Sequence, residues 1–170
     1  GFEPWLVALT LFDLGLARGG YGPSWGLEQH LLRRAAADGR EIRGLETLAL
    51  QIGLFDALSP PLQEALLAQT LAPIDSSEAL VDELVEAWRT GDVDALAAAL
   101  ERDLEGSPEL HEAVVASRNR RWVTEIERLL SERRAYLVVV GALHLVGRDS
   151  LVERLAAAGY RVERIGAPAR

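Results

Sequence analysis

The feature that most constrains the fold is a β-branched apolar run at residues 136–140, with the sequence YLVVV, that ends at Gly141. A run of this length before a glycine predicts a strand. His144 follows in the adjoining loop. An amphipathic helix, capped by Ser150 with Glu153 three residues later, then leads to a second run at residues 160–165. Residues 136–165 therefore predict a unit of strand, loop, helix and strand, in which the two strands are parallel.

This unit makes His144 a candidate site residue. In an open α/β sheet, ligands bind just beyond the carboxyl ends of the strands, and Gly141 has no Cβ to keep a ligand away. Residues 40–45 alternate weakly in polarity and predict another strand, with Glu46 at its carboxyl end. Parallel strands would bring Glu46 and His144 to the same edge of the sheet. The alternative is that Glu46 belongs to the first turn of a helix, with Thr47 as a partial cap.

The rest of the chain predicts helices. Residues 47–105 carry little visible chemistry and are expected to form a helical cover or lid. With 170 residues and 49% hydrophobic side chains, the chain is long enough for one domain with a real core. The expected fold class is α+β or α/β, predominantly helical, with a small parallel sheet of about three strands.

Charge and composition exclude several classes of partner and site. The formal net charge of −8 disfavours nucleic acid and anionic membrane surfaces. The absence of cysteine excludes disulfides, thiolate zinc sites and a cysteine nucleophile. No apolar stretch reaches the roughly 18 to 20 residues that a membrane span requires.

Polar residues also occur where helices are expected to be buried. A long helix is predicted from residue 107 to about residue 134, and Arg118 and Asn119 lie on or beside its apolar stripe. An amide there must find hydrogen-bond partners, and a guanidinium needs an anion. The alternative is a buried salt bridge with a helix-tethering amide. Glu28, early in another helix, is either a ligand or a residue that suits the positive end of the helix dipole.

Four segments carry a family resemblance, and they occur in the family's order. They are GLE at residues 26–28, GLET with a following glutamine at 44–51, RNRRW at 118–122 and GALHLVGRDSLVERLAAAGYRVERI at 141–165. Together they resemble the TraB/GumN family, whose members include plasmid pheromone-shutdown proteins and the Tiki metalloproteases. The family pattern has two Gly-x-x-His motifs, and this sequence matches the second, at Gly141 and His144. The resemblance implies that residues 1–170 are a single domain, the C-terminal portion of a larger one whose N-terminal half is missing; the alternative is a shortened relative. A sheet of about three strands would have unpaired edges, which a missing half or a partner chain would complete.

The resemblance also implies a function. It is that of a metal-dependent hydrolase of the peptidase type, with a peptide or protein substrate and Mn, Co or Zn as the divalent metal. His144 and Glu46 would lie at the metal, Glu28 would be a ligand or base, and Arg118 and Asn119 would support the transition state. A catalytic metal usually takes three protein ligands, so this set is incomplete.

Three further residues would support the site by the same resemblance, namely Gly44, Gln51 and Gly141. The resemblance favours an extracytoplasmic location in a bacterium, periplasmic or envelope-associated. The alternative function is a non-catalytic binding module for haem or a peptide, in which His144 is a lone axial or hydrogen-bonding group.

Overall fold

The structure, a computed structural model, describes residues 1–22, 24, 26–71, 74–104 and 107–166, without the side chains of 74–80 and 103. The chain divides into two compact units, Gly1–Glu86 and Ala87–Arg170. The first unit contains α1 (Pro4–Arg18), α2 (Leu27–Ala37), α3 (Leu48–Asp56), α4 (Pro60–Thr70) and most of α5 (Ile74–Thr90). The second contains α6 (Val93–Leu104), α7 (Pro108–His111), a π-helical segment (Glu112–Ala116), α8 (Ser117–Ser131), a 3₁₀ turn (Ala142–His144) and α9 (Leu151–Ala157).

The predicted strands are wrong. Residues 40–45, 136–140 and 160–165 form no strand, and the described part of the chain contains no sheet. A strand exists only where its backbone pairs with that of a neighbour. The described backbone hydrogen bonds include none between residues 137–140 and 160–165, and the amide of Tyr160 instead donates to the carbonyl of Leu155.

Side chains in these segments are correspondingly exposed to solvent. Leu137 is 76% exposed and Ile165 is 94% exposed. The fold class α+β or α/β is therefore corrected to all-helical for the described residues. The inference that a shared sheet edge unites Glu46 and His144 is lost as well, because neither residue follows a strand.

The helix signals in the sequence are more successful. Proline occupies the first turn of α1, α4 and α7, where its missing N–H costs nothing. Ser150 caps α9 by accepting a hydrogen bond from the amide of Glu153, as the sequence predicted. Helices α3 to α6 lie within residues 47–105, of which 72, 73 and 105 lie outside the described residues, and their role as a cover stays a prediction. None of the described helices combines the length and the apolar character needed to cross a membrane, which agrees with the sequence.

The first unit is organised around Trp5. Trp5 and Ala8 are the buried residues of α1, which packs mainly on α4. The Trp5 ring stacks on Phe55 with 5.5 Å between centroids, and its Nε1 donates to Asp56 Oδ1 at 2.8 Å. Trp5 thus joins α1 to the end of α3 through both an apolar contact and a hydrogen bond.

The second unit has its core along the π segment and α8, which together present one buried face. α8 also packs on α9, and α6 packs on α7. The buried residues of the π segment and α8 are Val115, Ala116, Asn119, Trp122, Ile126 and Leu129. An asparagine in the middle of this otherwise apolar face is what positions the candidate site.

An ion pair ties the π segment to α8 and gives a pH prediction. Arg120 hydrogen-bonds Glu112 and holds the pKa of that carboxyl below its ordinary value of 4.5. The folded pKa lies below the unfolded one, so the stabilisation is present above pH 4.5 and is lost as the pH falls through the folded pKa.

We expect Glu112→Gln to lower the stability of the protein slightly at neutral pH, because it removes this exposed ion pair. Denaturant unfolding of the two proteins at a series of pH values measures the effect. The difference between them should shrink as the pH falls below 4.5. A difference that stays constant over that range would show that the ion pair does not stabilise the fold.

Candidate functional site

The candidate site begins on the helical side with Asn119, which is fully buried. The π segment Glu112–Ala116 comes directly before α8 and interrupts the regular helix just ahead of Arg118 and Asn119. Such π segments are frequent at functional sites because they change which side chains face inward. Val115 and Trp122 flank Asn119 on the buried face, so its amide must find partners within the protein.

Those partners come from the loop that joins the 3₁₀ turn to α9. The turn Ala142–His144 is closed by a hydrogen bond from the amide of His144 to the carbonyl of Gly141, at 3.0 Å. Later in the same loop, Gly147 and Asp149 have positive φ angles of 69° and 65°. Asp149 is not a glycine, and although aspartate tolerates this region better than most residues, its positive φ costs free energy that other contacts offset.

Asn119 makes one of these contacts and also contacts the histidine. Its Nδ2 donates to the carbonyl oxygen of Asp149 at 2.8 Å and to that of His144 at 3.4 Å. Its Oδ1 lies 2.8 Å from Nδ1 of His144. Arg154 gives the Asp149 carbonyl a second donor, through Nε at 3.1 Å, and also pairs with the Asp149 carboxylate. One amide therefore ties both ends of the loop, and the imidazole, to α8.

Aromatic and cationic groups complete the surroundings of His144. The imidazole is 5% exposed, and its ring lies 4.4 Å from the Trp122 ring with an interplanar angle of 51°. The guanidinium of Arg118 lies over the Trp122 ring, 4.7 Å from its centroid, and Nη1 contacts the carbonyl of Val114 at 3.5 Å. A cation over an indole face is attracted by the negative face of the ring. Arg118, Asn119, Trp122 and His144 thus form one connected cluster.

The structure therefore brings together three of the site residues predicted from the sequence, Arg118, Asn119 and His144, with Gly141 beside them. A Cβ built on Gly141 would lie 3.9 Å from Cδ2 of His144, which is an ordinary contact. The fold itself tolerates a methyl group there. That Gly141 admits a ligand stays a prediction.

The other predicted residues belong to the first unit. Glu46 comes just before Thr47, which caps α3 by accepting a hydrogen bond from the amide of Leu50. Gln51 donates to Glu46 Oε1 at 3.1 Å. Thr47 is a full N-cap, and Glu46 stands outside the helix rather than in its first turn.

Glu28 lies in the first turn of α2 and is exposed, a position that suits a carboxylate through the helix dipole alone. Its predicted role as a ligand or base stays a prediction, as do the roles of Glu46 and Gln51. Within the part of the chain that the structure describes, no three side chains from His, Cys, Asp and Glu are grouped so that they could hold a metal ion.

Sequence reasoning did not name three residues that shape the cluster as site residues, Trp122, Asp149 and Arg154, although Trp122 belongs to the RNRRW segment that carries the resemblance. Trp122 could have been found from its spacing, since it lies one helical turn after both Arg118 and Asn119. Asp149 precedes the Ser150 cap, and aspartate is among the residues that tolerate positive φ. The contact of Arg154 with the Asp149 carbonyl has no signal in the sequence.

Gly44 gives a prediction for the turn that carries Glu46. A Cβ at residue 44 would lie 3.0 Å from the carbonyl oxygen of Glu46, closer than the fold accommodates without a shift of the backbone. We expect Gly44→Ala to destabilise the protein by about 1 kcal/mol. Gly53→Ala is the matched control, because nothing lies within 4 Å of its Cβ position in α3. In a helix this change should stabilise by roughly 0.5–1 kcal/mol. Denaturant unfolding followed by circular dichroism measures both variants, and equal shifts would refute the role assigned to Gly44.

Comparison with known proteins identifies the family. The model of the TraB/PrgY/gumN family matches residues 1–164, nearly the whole chain. No curated protein and no solved structure gives a significant match. The match includes both the Glu46 turn and the cluster around His144, and the resemblance carried by the four sequence segments is confirmed. The chain belongs to the TraB/PrgY/gumN family.

Proposed function

We propose that the protein is a metal-dependent hydrolase that acts on peptides, with His144 at its reactive centre. The observation that carries this proposal is a buried imidazole held at one ring nitrogen and on one ring face. Asn119 Oδ1 contacts Nδ1 at 2.8 Å, and Trp122 lies against the ring at 4.4 Å. An imidazole held this way has a fixed orientation before any ligand arrives, as a site ligand or a proton acceptor requires.

The residues fit a divalent transition metal in part. An imidazole nitrogen suits Mn, Co or Zn, and His144 would supply one ligand. Glu46 and Glu28 are the other residues that the resemblance implies as ligands, and both roles stay predictions. When bound, such a metal would lower the pKa of a water molecule and polarise the carbonyl of the peptide.

Arg118 would stabilise charge on the substrate. Its guanidinium is held over the Trp122 ring, and that ring also contacts His144, so cation and imidazole belong to the same cluster. Peptide hydrolysis develops negative charge on the carbonyl oxygen, and a fixed cation lowers the energy of that state. The Trp122 ring keeps the arginine side chain from occupying many rotamers, which reduces the entropy lost when a substrate binds.

By the resemblance, Glu46 is a catalytic carboxylate as well as a metal ligand, and Glu28 is a ligand or base. Gln51 donates to one carboxylate oxygen of Glu46 at 3.1 Å, which orients the group. Glu46→Gln should then reduce the turnover of a peptide by about 10²–10⁴-fold, the usual contribution of a general base.

Removal of His144 tests the proposal as a whole. We expect His144→Ala to lower metal affinity and peptide cleavage by at least about 100-fold, because the imidazole is the oriented ligand. Metal content by mass spectrometry and cleavage of a peptide library with added Mn, Co or Zn provide the two measurements. His111→Ala is the matched control, since it removes an imidazole of the same unit outside the cluster.

Unchanged cleavage by His144→Ala would refute the hydrolase. Saturable binding of haem or of a peptide by the wild-type protein, with no turnover under any metal, would instead favour the binding module. Circular dichroism of each variant shows whether the fold is retained. If His144→Ala fails to fold, Trp122→Phe is measured instead, because it keeps an aromatic ring against His144.

A further inference from the structure

We infer that Asn119 is a positioning residue that holds His144 in the tautomer with the proton on Nδ1, so that Nε2 carries the lone pair. The ring nitrogen nearest Asn119 is Nδ1, 2.8 Å from Oδ1. Neutral imidazole has one donor and one acceptor nitrogen, so the identity of the group facing Nδ1 decides which is which. The orientation of the Asn119 amide therefore decides the tautomer.

Two backbone carbonyls fix that orientation. The nitrogen end of the amide faces the carbonyl oxygens of Asp149, at 2.8 Å, and of His144, at 3.4 Å. A carbonyl oxygen can only accept a hydrogen bond. If the amide were turned over, its own oxygen would lie against these two oxygens in a buried site, at a high cost in free energy. The amide nitrogen must therefore face the loop, and Oδ1 must face the histidine.

The tautomer follows directly. Oδ1 is an acceptor only, so the hydrogen between it and Nδ1 belongs to the imidazole. In water the tautomer with the proton on Nε2 predominates, and Asn119 therefore reverses the intrinsic preference of the side chain. A hydrogen bond of this kind to the distal nitrogen is the usual way in which a protein selects which imidazole nitrogen binds a metal or accepts a proton.

The same amide also couples the tautomer of His144 to the conformation of the loop that contains Asp149. Nδ2 supports the carbonyl of Asp149, whose φ is 65°, while Oδ1 holds the ring. Loss of the Asp149 contact would free the amide to rotate and would release the ring at the same time. The tautomer is a property of this chain alone, whereas its use by a metal or a substrate rests on the proposed function.

Nitrogen NMR of the imidazole rings tests the inference without any activity. The chain has three histidines, so the variant His30→Gln, His111→Gln leaves His144 as its only imidazole. Long-range ¹H–¹⁵N correlation at a pH where the ring is neutral should show a pyrrole-type Nδ1 and a pyridine-type Nε2. A pyrrole-type Nε2 in this protein would overturn the inference, whatever the enzymatic result.

Replacement of Asn119 separates positioning from stability. In Asn119→Leu the side chain has a similar size but no polar atom, and we expect Nε2–H to become the major form. Ser150→Ala is the matched control, because it removes the cap of α9 next to Asp149 without touching the imidazole. The control should retain the Nδ1–H tautomer, and a loss of that tautomer in both variants would indicate a general loosening and refute a specific role for Asn119.

Metal affinity distinguishes this inference from the proposed function. If both hold, Asn119→Leu should bind Mn, Co or Zn about 10–100-fold more weakly than the wild-type protein. If the tautomer is as inferred but the wild-type protein neither binds these metals nor cleaves peptides, the inference stands and the hydrolase fails. If Asn119→Leu folds and keeps the Nδ1–H tautomer, Asn119 is not the residue that selects it.

Discussion

The hydrogen bonds of one buried amide join α8 to the loop that carries His144. Asn119 lies in the middle of an apolar helix face, where an unpaired polar group would cost about 1–3 kcal/mol. Because of that cost, the amide must be hydrogen-bonded. Its partners are two carbonyls of the following loop on one side and an imidazole on the other. The loop can adopt its strained conformation because the helix supplies a donor at the place where support is needed. The orientation of His144 is a result of the same arrangement.

The sequence showed that Asn119 was unusual but could not show what it binds. An amide next to an apolar stripe must have partners, and this physical argument needs no structure. One of the two interpretations left open, a helix-tethering amide, describes its contacts with the loop well. The partners themselves are 25 and 30 residues away along the chain. No local pattern encodes a contact of that range, so only the need for it was predictable.

The predicted sheet failed for a related reason. Residues 136–140 and 160–165 have the composition of strands, and the helix between them begins at its predicted cap. The amino-acid composition of a segment indicates that it suits a pleated, half-buried surface. Strand pairing also requires a neighbouring segment, which the sequence pattern does not identify. Local signals such as Ser150 and the helix-starting prolines were reliable because their partners lie within a few residues. Glu46 illustrates the case of strand pairing, since the strand predicted before it is absent.

The open segment at residues 136–140 has a consequence for how the protein behaves in concentrated solution. Five uncharged residues of high β propensity, exposed at Leu137 and the two following valines, match the composition of segments that stack on one another between chains. Arg133 and Arg134 come just before this run, and charges beside such a segment oppose the stacking of identical chains. That repulsion is electrostatic and is screened as salt is added. Added salt should therefore weaken the protection that these two arginines, which lie outside the cluster around His144, give to the segment.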